Sequence, residues 1–229
     1  MNNEILSRSL RVVCDFVYPR LCAVCKRRLS PNERAICPTC FHNMPVFLNH
    51  PVYSTERIEG EAYIETFDSL FCFKDGNATQ RAIHQLKYNR YKDVGKLFGK
   101  LAAKKFRWSN CEVDWILPVP ISRKRRAFRG YNQAMIIAEG ISQHTGIKAS
   151  DSILARKIEF YSQTKRDKVS RQKAVKNKFY CKRPQLLRNK SVLIVDDVLT
   201  SGATLAEVAS VISRAGANHI KAFTAAVAK

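Results

Sequence analysis

Apolar positions along the chain switch repeatedly between the period of a strand and that of a helix. Residues 65–73, ETFDSLFCF, form a short apolar run that predicts a strand. From Thr79 to Leu101 a helical pattern places Ile83, Leu86, Val94, Leu97, Phe98 and Leu101 on a core face, with a break expected near Asn89. Residues 113–119, VDWILPV, predict a strand ending in prolines, and Asn132 to Gln143 predicts a helix. Ser191 to Val195 predicts a buried central strand. Leu205 to Arg214 predicts the helix after it, with Gly216 as its stop, and Ile220 to Val227 predicts a closing strand. Strands alternating with helices are the signature of an α/β domain with a parallel sheet.

The start of the chain reads differently. Leu6, Leu10, Val13 and Val17 share one face of a short amphipathic helix. Docking on the protein is its expected use, with peripheral membrane attachment as the alternative. Arg8, Arg11 and Asp15 interrupt the first twenty residues, so they do not form a secretory signal. No stretch reaches the length of an integral membrane segment, and a cytoplasmic location is expected. Residues 45–62 carry two prolines and many polar residues and read as a linker. The expected division is therefore 1–60 for helix, cysteine module and linker, and 61–229 for the α/β domain.

Four of the eight cysteines are clustered as Cys22, Cys25, Cys37 and Cys40. Two Cys-x2-Cys pairs can each wrap a tight knuckle, and four thiolates complete a tetrahedron around zinc. Redox dithiols and an iron–sulfur cluster are the alternatives. A site filled by four thiolates leaves no open position for catalysis, so the module is expected to stabilise the fold, with a structural zinc, or to bind a partner. His42 is adjacent but not needed as a ligand. Cys14, Cys72, Cys111 and Cys181 are scattered and read as small packed hydrophobes.

The central chemistry lies in VLIVDDVLTSGAT, Val192 to Thr204. A buried strand running into a small-residue turn and a helix start is a phosphate cradle. Asp196 and Asp197 would nevertheless repel a phosphate. A dinucleotide fingerprint is absent, and both Gly-Lys pairs precede Leu rather than the Ser or Thr of a Walker A loop. A ligand carrying both a phosphate and a vicinal diol removes the conflict. The carboxylates accept hydrogen bonds from two ribose hydroxyls, while the turn and helix start hold the 5′-phosphate.

These residues closely resemble the phosphoribosyl-pyrophosphate (PRPP) motif of type I phosphoribosyltransferases. The resemblance implies that Asp196 and Asp197 bind the ribose hydroxyls and that Thr200, Ser201, Gly202, Ala203 and Thr204 hold the 5′-phosphate. Further matches are LKY at 86–88, PVPISRKRRAFRGYNQA at 118–134, and Gln163 with Arg171, Asn177 and Phe179. With the four-cysteine module they resemble the ComF family over nearly the whole chain. That family is associated with DNA uptake in natural transformation. Its fold would be a parallel-sheet, type I phosphoribosyltransferase-like domain behind a small N-terminal zinc module. The resemblance also implies a DNA-translocating ATPase of the competence machinery as a partner.

Charge narrows the picture. The chain carries 40 Lys+Arg against 19 Asp+Glu, a net +21, which suits a polyanionic partner; a basic protein with no dedicated partner is the plain alternative. Residues 121–134 and 156–190 account for sixteen of that excess. The residues after Pro120 read as a loop, standing where the resembled family places a pyrophosphate-binding loop, and its cations, with Lys87, would neutralise a leaving pyrophosphate accompanied by Mg²⁺. Arg123 and Arg129 are the residues expected to do so. The surplus points to a nucleic-acid backbone, with Arg125, Arg126, Lys165, Arg166 and Arg171 as expected contacts for single-stranded DNA. Phe128, Tyr131, Phe160, Tyr161, Phe179 and Tyr180 are interleaved with the cations and could stack bases, although at least half are expected in the core. Two functions follow: a DNA-handling protein that binds PRPP, or a working phosphoribosyltransferase.

Overall fold

The computed structural model describes residues 19–48, 64–106, 113–157 and 178–228. The N-terminal amphipathic helix, Cys14, Cys111, most of the linker, Phe160, Tyr161, Gln163, Lys165, Arg166, Arg171 and Asn177 lie outside the described residues.

In chain order the elements are α1 (Pro38–His42), β1 (Thr66–Phe73), α2 (Ala78–Tyr88), α3 (Lys92–Phe106), β2 (Trp115–Pro118), α4 (Arg123–Arg129) and α5 (Gln133–Thr145). Then follow β3 (Lys148–Ala149), β4 (Leu154–Arg156), β5 (Phe179–Cys181), β6 (Ser191–Leu199), α6 (Ala203–Arg214) and β7 (His219–Ala228). Five strands form one parallel sheet in the order β1-β7-β6-β2-β3. β4 and β5 make a separate antiparallel pair.

Helices cover both faces of the sheet, so its central strands are apolar along their length. Alternate residues of β6 serve opposite layers. Leu193 and Val195 pack with α2, α3 and α5, whereas Val192 and Ile194 pack with α6 and the β4–β5 pair. α2 ends at Tyr88 and α3 begins at Lys92; between them Arg90 takes a left-handed φ of 57°. That turn is the break expected near Asn89.

α3 and α5 cross with their backbones in contact. A Cβ on Gly99 would sit 2.3 Å from the carbonyl oxygen of Ile137. Gly140 sits on the other side of the same crossing, where a Cβ would lie 2.8 Å from the Lys96 carbonyl oxygen. Side chains here would push α5 away from β6.

The cysteine module is bound into the same core. Cys22, Ala23, Ile36, Cys37 and Met44 join one buried apolar cluster with Phe71, Ile83 and Phe98. The residues read as the start of a linker are in fact paired. Phe47 N donates to Leu70 O and Cys72 N donates to Pro45 O, each at 2.8 Å. Val46 and Phe71 form an antiparallel bridge. This short segment covers the outer edge of β1, which would otherwise present unpaired backbone groups.

Candidate ligand site at the carboxyl end of the sheet

β6 continues four residues beyond Val195, to Leu199, so both acids stand within the strand rather than after it. The cause is β7, which pairs with Asp196, Val198 and Leu199 through Thr224, Ala226 and Val227. β2 stops opposite Val195. The acids therefore emerge where one neighbour of the central strand has ended, a crevice at the carboxyl ends of the strands.

Asp197 is met by Lys87, whose Nζ lies 3.1 Å from Oδ2. The Asp197 N–H donates to Asp196 Oδ1 at 2.8 Å. Burial pushes the Asp196 carboxyl up to about 7, and the charge of Asp197 adds to that shift. The Asp197 N–H and the charges of Lys87 and Arg125 oppose it. One carboxylate is thus compensated by a lysine, while burial makes its neighbour easier to protonate.

Past Leu199 the chain turns through Thr200, Ser201 and Gly202. Gly202 takes a φ of 78°, a conformation that costs a residue without Cβ little. α6 starts at Ala203 with no side-chain cap. Its first N–H groups point out of the helix end without a side-chain acceptor, and Thr200, Ser201, Ala203 and Thr204 are exposed beside them. Farther along α6, Glu207 accepts from the Lys178 and Phe179 N–H groups, which fixes the start of β5.

RGYNQA, Arg129 to Ala134, builds the opposite wall. Gly130 ends α4 in the left-handed region at φ 79°. The buried Tyr131 hydroxyl donates to Leu86 O, directly before Lys87. Asn132 Nδ2 donates to Val119 O at 3.0 Å, and its Oδ1 accepts from Ala134 N. Gln133 Oε1 accepts from Arg129 Nη1 at 2.9 Å. These bonds fix Lys87, the Pro118–Pro120 turn and α4 relative to one another.

The cations following Pro120 form the seven-residue helix α4 rather than the expected loop. Ser122 caps it by accepting from Arg125 N, and none of its residues is buried. Four of the five cations take different partners. Arg125 acts on Asp196, although sequence reasoning grouped it with the nucleic-acid contacts. Arg129 lies over the Tyr88 ring, 5.1 Å from its centroid. Arg126 pairs with Asp151 at 3.0 Å. Arg123 and Arg126 line a cleft of about 210 Å³ with Arg156, Lys157 and Lys182, whose walls include neither carboxylate of the acid pair. Of the aromatics expected to stack bases, Tyr131 and Phe179 are buried while Phe128 and Tyr180 are exposed.

The four cysteine sulfurs lie within 4.8 Å of one another. Cys25 and Cys37 Sγ are 3.8 Å apart, close to the roughly 3.8 Å edge of a tetrahedron with ~2.3 Å metal–sulfur bonds. Backbone N–H groups of Val24 and Cys37 donate to Cys22 Sγ, and that of Cys40 donates to Cys37 Sγ. Burial alone would raise the Cys22 thiol. The N–H donors of Cys25, Cys37 and Val24 outweigh it and lower the thiol to about 6, toward the thiolate a metal requires. The knuckle turns need left-handed residues, supplied by Lys26 at φ 64° and Ala35 at φ 62°. The donor set fits zinc, and the cluster could hold a metal.

Residues 132–229 match the phosphoribosyl transferase domain family. Competence protein F of Haemophilus influenzae is 31% identical over 110 residues, covering 46% of this chain and 47% of that protein. Competence protein ComFC of Bacillus subtilis is 22% identical over 193 residues, covering 81% of this chain and 75% of ComFC. The DNA utilization protein YhgH of Escherichia coli K12 is 24% identical over 215 residues, covering 88% of this chain and 87% of YhgH. The chain is thus similar to ComF-type competence proteins and to YhgH, and its residues 132–229 match a phosphoribosyl transferase domain. Among the described residues, no helix is long and apolar enough to cross a membrane.

Sequence reasoning missed two features. Lys92, Lys96, Lys100 and Lys104 are exposed along α3, a cationic stripe that their spacing of four could have revealed. Tyr88 meets Phe128 and Arg129, some forty residues on in the chain, and contacts of that kind leave no local signal.

Proposed function

We propose that this protein binds phosphoribosyl pyrophosphate or a related sugar phosphate at the end of β6, and single-stranded DNA on its basic surface, as part of DNA uptake. The observation that carries the reading is the placement of Asp196 and Asp197 just before an uncapped helix start. Carboxylates for a diol and N–H groups for a phosphate stand side by side, as a ribose 5-phosphate requires. Lys87, Arg123 and Arg129 are assigned to the pyrophosphate. Arg125, Arg126, Lys165, Arg166 and Arg171 are assigned to DNA, Arg125 being shared with the acid pair. The names of the relatives, competence proteins and a DNA utilization protein, support the DNA role. A DNA-translocating ATPase is the proposed protein partner, and the cytoplasm the proposed location. Cys22, Cys25, Cys37 and Cys40 are assigned to one structural zinc.

The diol reading is tested with two sugars. Ribose 5-phosphate should bind at least about fivefold more tightly than 2-deoxyribose 5-phosphate, because the latter leaves a carboxylate without one hydroxyl donor. Equal affinity would refute it.

A working phosphoribosyltransferase is the second reading, supported by the phosphoribosyl transferase domain match over residues 132–229. In that reaction an acceptor atom bonds to C1 of the ribose, the bond from C1 to the pyrophosphate oxygen breaks, and the acceptor loses a proton. Mg²⁺ bound with the pyrophosphate would neutralise its charge. Asp196 and Asp197 would hold the sugar as C1 gains positive character, and Lys87 and Arg129 would face the leaving group. Pyrophosphate release that depends on a defined acceptor selects this reading.

A further inference from the structure

α4 has no packing reason to carry an aromatic. None of its residues is buried, and Phe128 is 73% exposed. The helix is nevertheless held at both ends, by the Ser122 cap and by left-handed Gly130. Phe128 is also fixed from the side. Its centroid lies 6.4 Å from that of Tyr88, with the rings inclined at 66°. Tyr88 is itself held between His84, 4.6 Å away, and the Arg129 guanidinium, 5.1 Å from its centroid. The hydroxyl of Tyr88 accepts from Arg129 Nη2 at 3.4 Å. Tyr88, itself 47% exposed, braces Phe128, which turns more of its ring to solvent.

The surroundings specify the occupant. Five of the seven α4 residues are cations, and no acid occurs in residues 121–134. An exposed, fixed ring among cations suits a chain that alternates anionic groups with flat π-systems. Single-stranded nucleic acid is that chain, since a base can stack on the ring only when it is unpaired. We infer that Phe128, braced by Tyr88, is a stacking platform for an unpaired base of single-stranded DNA, with the adjacent phosphates on the α4 cations.

The inference rests on the DNA-binding reading, and the experiment separates the two. Fluorescence anisotropy compares labelled oligothymidylate with an abasic oligomer of equal length. Wild type should bind oligothymidylate at least about fivefold more tightly, the low end of base–aromatic stacking. Phe128→Ala should abolish that preference while leaving abasic binding and its salt dependence unchanged. Phe128→Tyr should retain the preference. Both substitutions fall on an exposed side chain, and circular dichroism verifies folding. If wild type binds both oligomers equally, or Phe128→Ala keeps the preference, the platform is overturned and DNA binding stands. If wild type binds neither, the DNA reading fails and the platform falls with it. If thymidine 5′-monophosphate binds as tightly as the oligomer and loses affinity in Phe128→Ala, the ring serves a nucleotide pocket and the strand platform is overturned.

Discussion

Lys87 Nζ lies 3.1 Å from Asp197 Oδ2, which ties the last turn of α2 to the end of the central strand. The plain expectation for Lys87 is a helix-surface lysine in water. Instead its side chain is mostly covered and compensates one of two adjacent carboxylates. The pair gives the acid site a cation before any ligand arrives. It also leaves Asp196, the other carboxylate, to take the cost of burial.

That cost has a pH signature. Burial, with the charge of Asp197, pushes Asp196 from an ordinary value of 3.8 up to about 7. The folded state therefore holds this proton more tightly than the unfolded chain. The resulting stability is present below about pH 4 and is lost as pH rises through about 7. Asp196→Asn, which mimics the neutral acid, should be about 1–2 kcal/mol more stable than wild type at pH 8. The difference should shrink toward zero at pH 4. Urea titrations at both pH values measure it, and an Asn variant less stable at pH 8 would contradict the assignment.

Tyr131 sets the position of Lys87 through the carbonyl of Leu86. Tyr131→Phe leaves that buried carbonyl without its donor, which should lower stability by about 1–3 kcal/mol. Sugar-phosphate affinity should fall as well, because Lys87 loses its anchor. Denaturant unfolding and calorimetry read the two effects separately.

Gly99 marks the contact between α3 and α5. Alanine there should gain roughly 1 kcal/mol of helix propensity. Its Cβ would meet the Ile137 carbonyl oxygen at 2.3 Å, and backbone cannot swing aside as a long side chain can. Overpacking of about 1–3 kcal/mol or more should win, so Gly99→Ala should lower the thermal midpoint. An unchanged midpoint would mean that the helices separate freely.

The cysteine cluster shares its core with α2 and α3, so metal loss should be felt beyond the module. Purified protein should carry about one zinc per chain by elemental analysis. Cys37→Ser should remove the metal and lower the thermal midpoint of the whole protein. A metal-free wild type prepared without chelators would refute the zinc assignment.

These predictions draw unequally on sequence and structure. VLIVDDVLTSGAT was legible because apolar strand, acid pair and small-residue turn are contiguous, and each step has a chemical reason. The length of β6 was not, because acids at 196 and 197 end the apolar run while pairing with β7 carries the strand on. α4 read as a loop because its cations have no apolar period; caps at Ser122 and Gly130 make it a helix. β4 and β5 escaped notice because each has three residues and they lie far apart in the chain. The pairing of residues 45–47 with β1 was hidden for a related reason: it satisfies an edge that only the folded sheet reveals.

The central claim is that Asp196 and Asp197 hold the hydroxyls of a ribose 5-phosphate. Calorimetric titration of PRPP into wild type and into the Asp196→Asn, Asp197→Asn double variant tests it most directly. Each charged hydrogen bond lost costs roughly 1.5–3 kcal/mol, so the double variant should bind at least about tenfold more weakly with its fold intact. Equal affinity of the two proteins for PRPP would contradict the account.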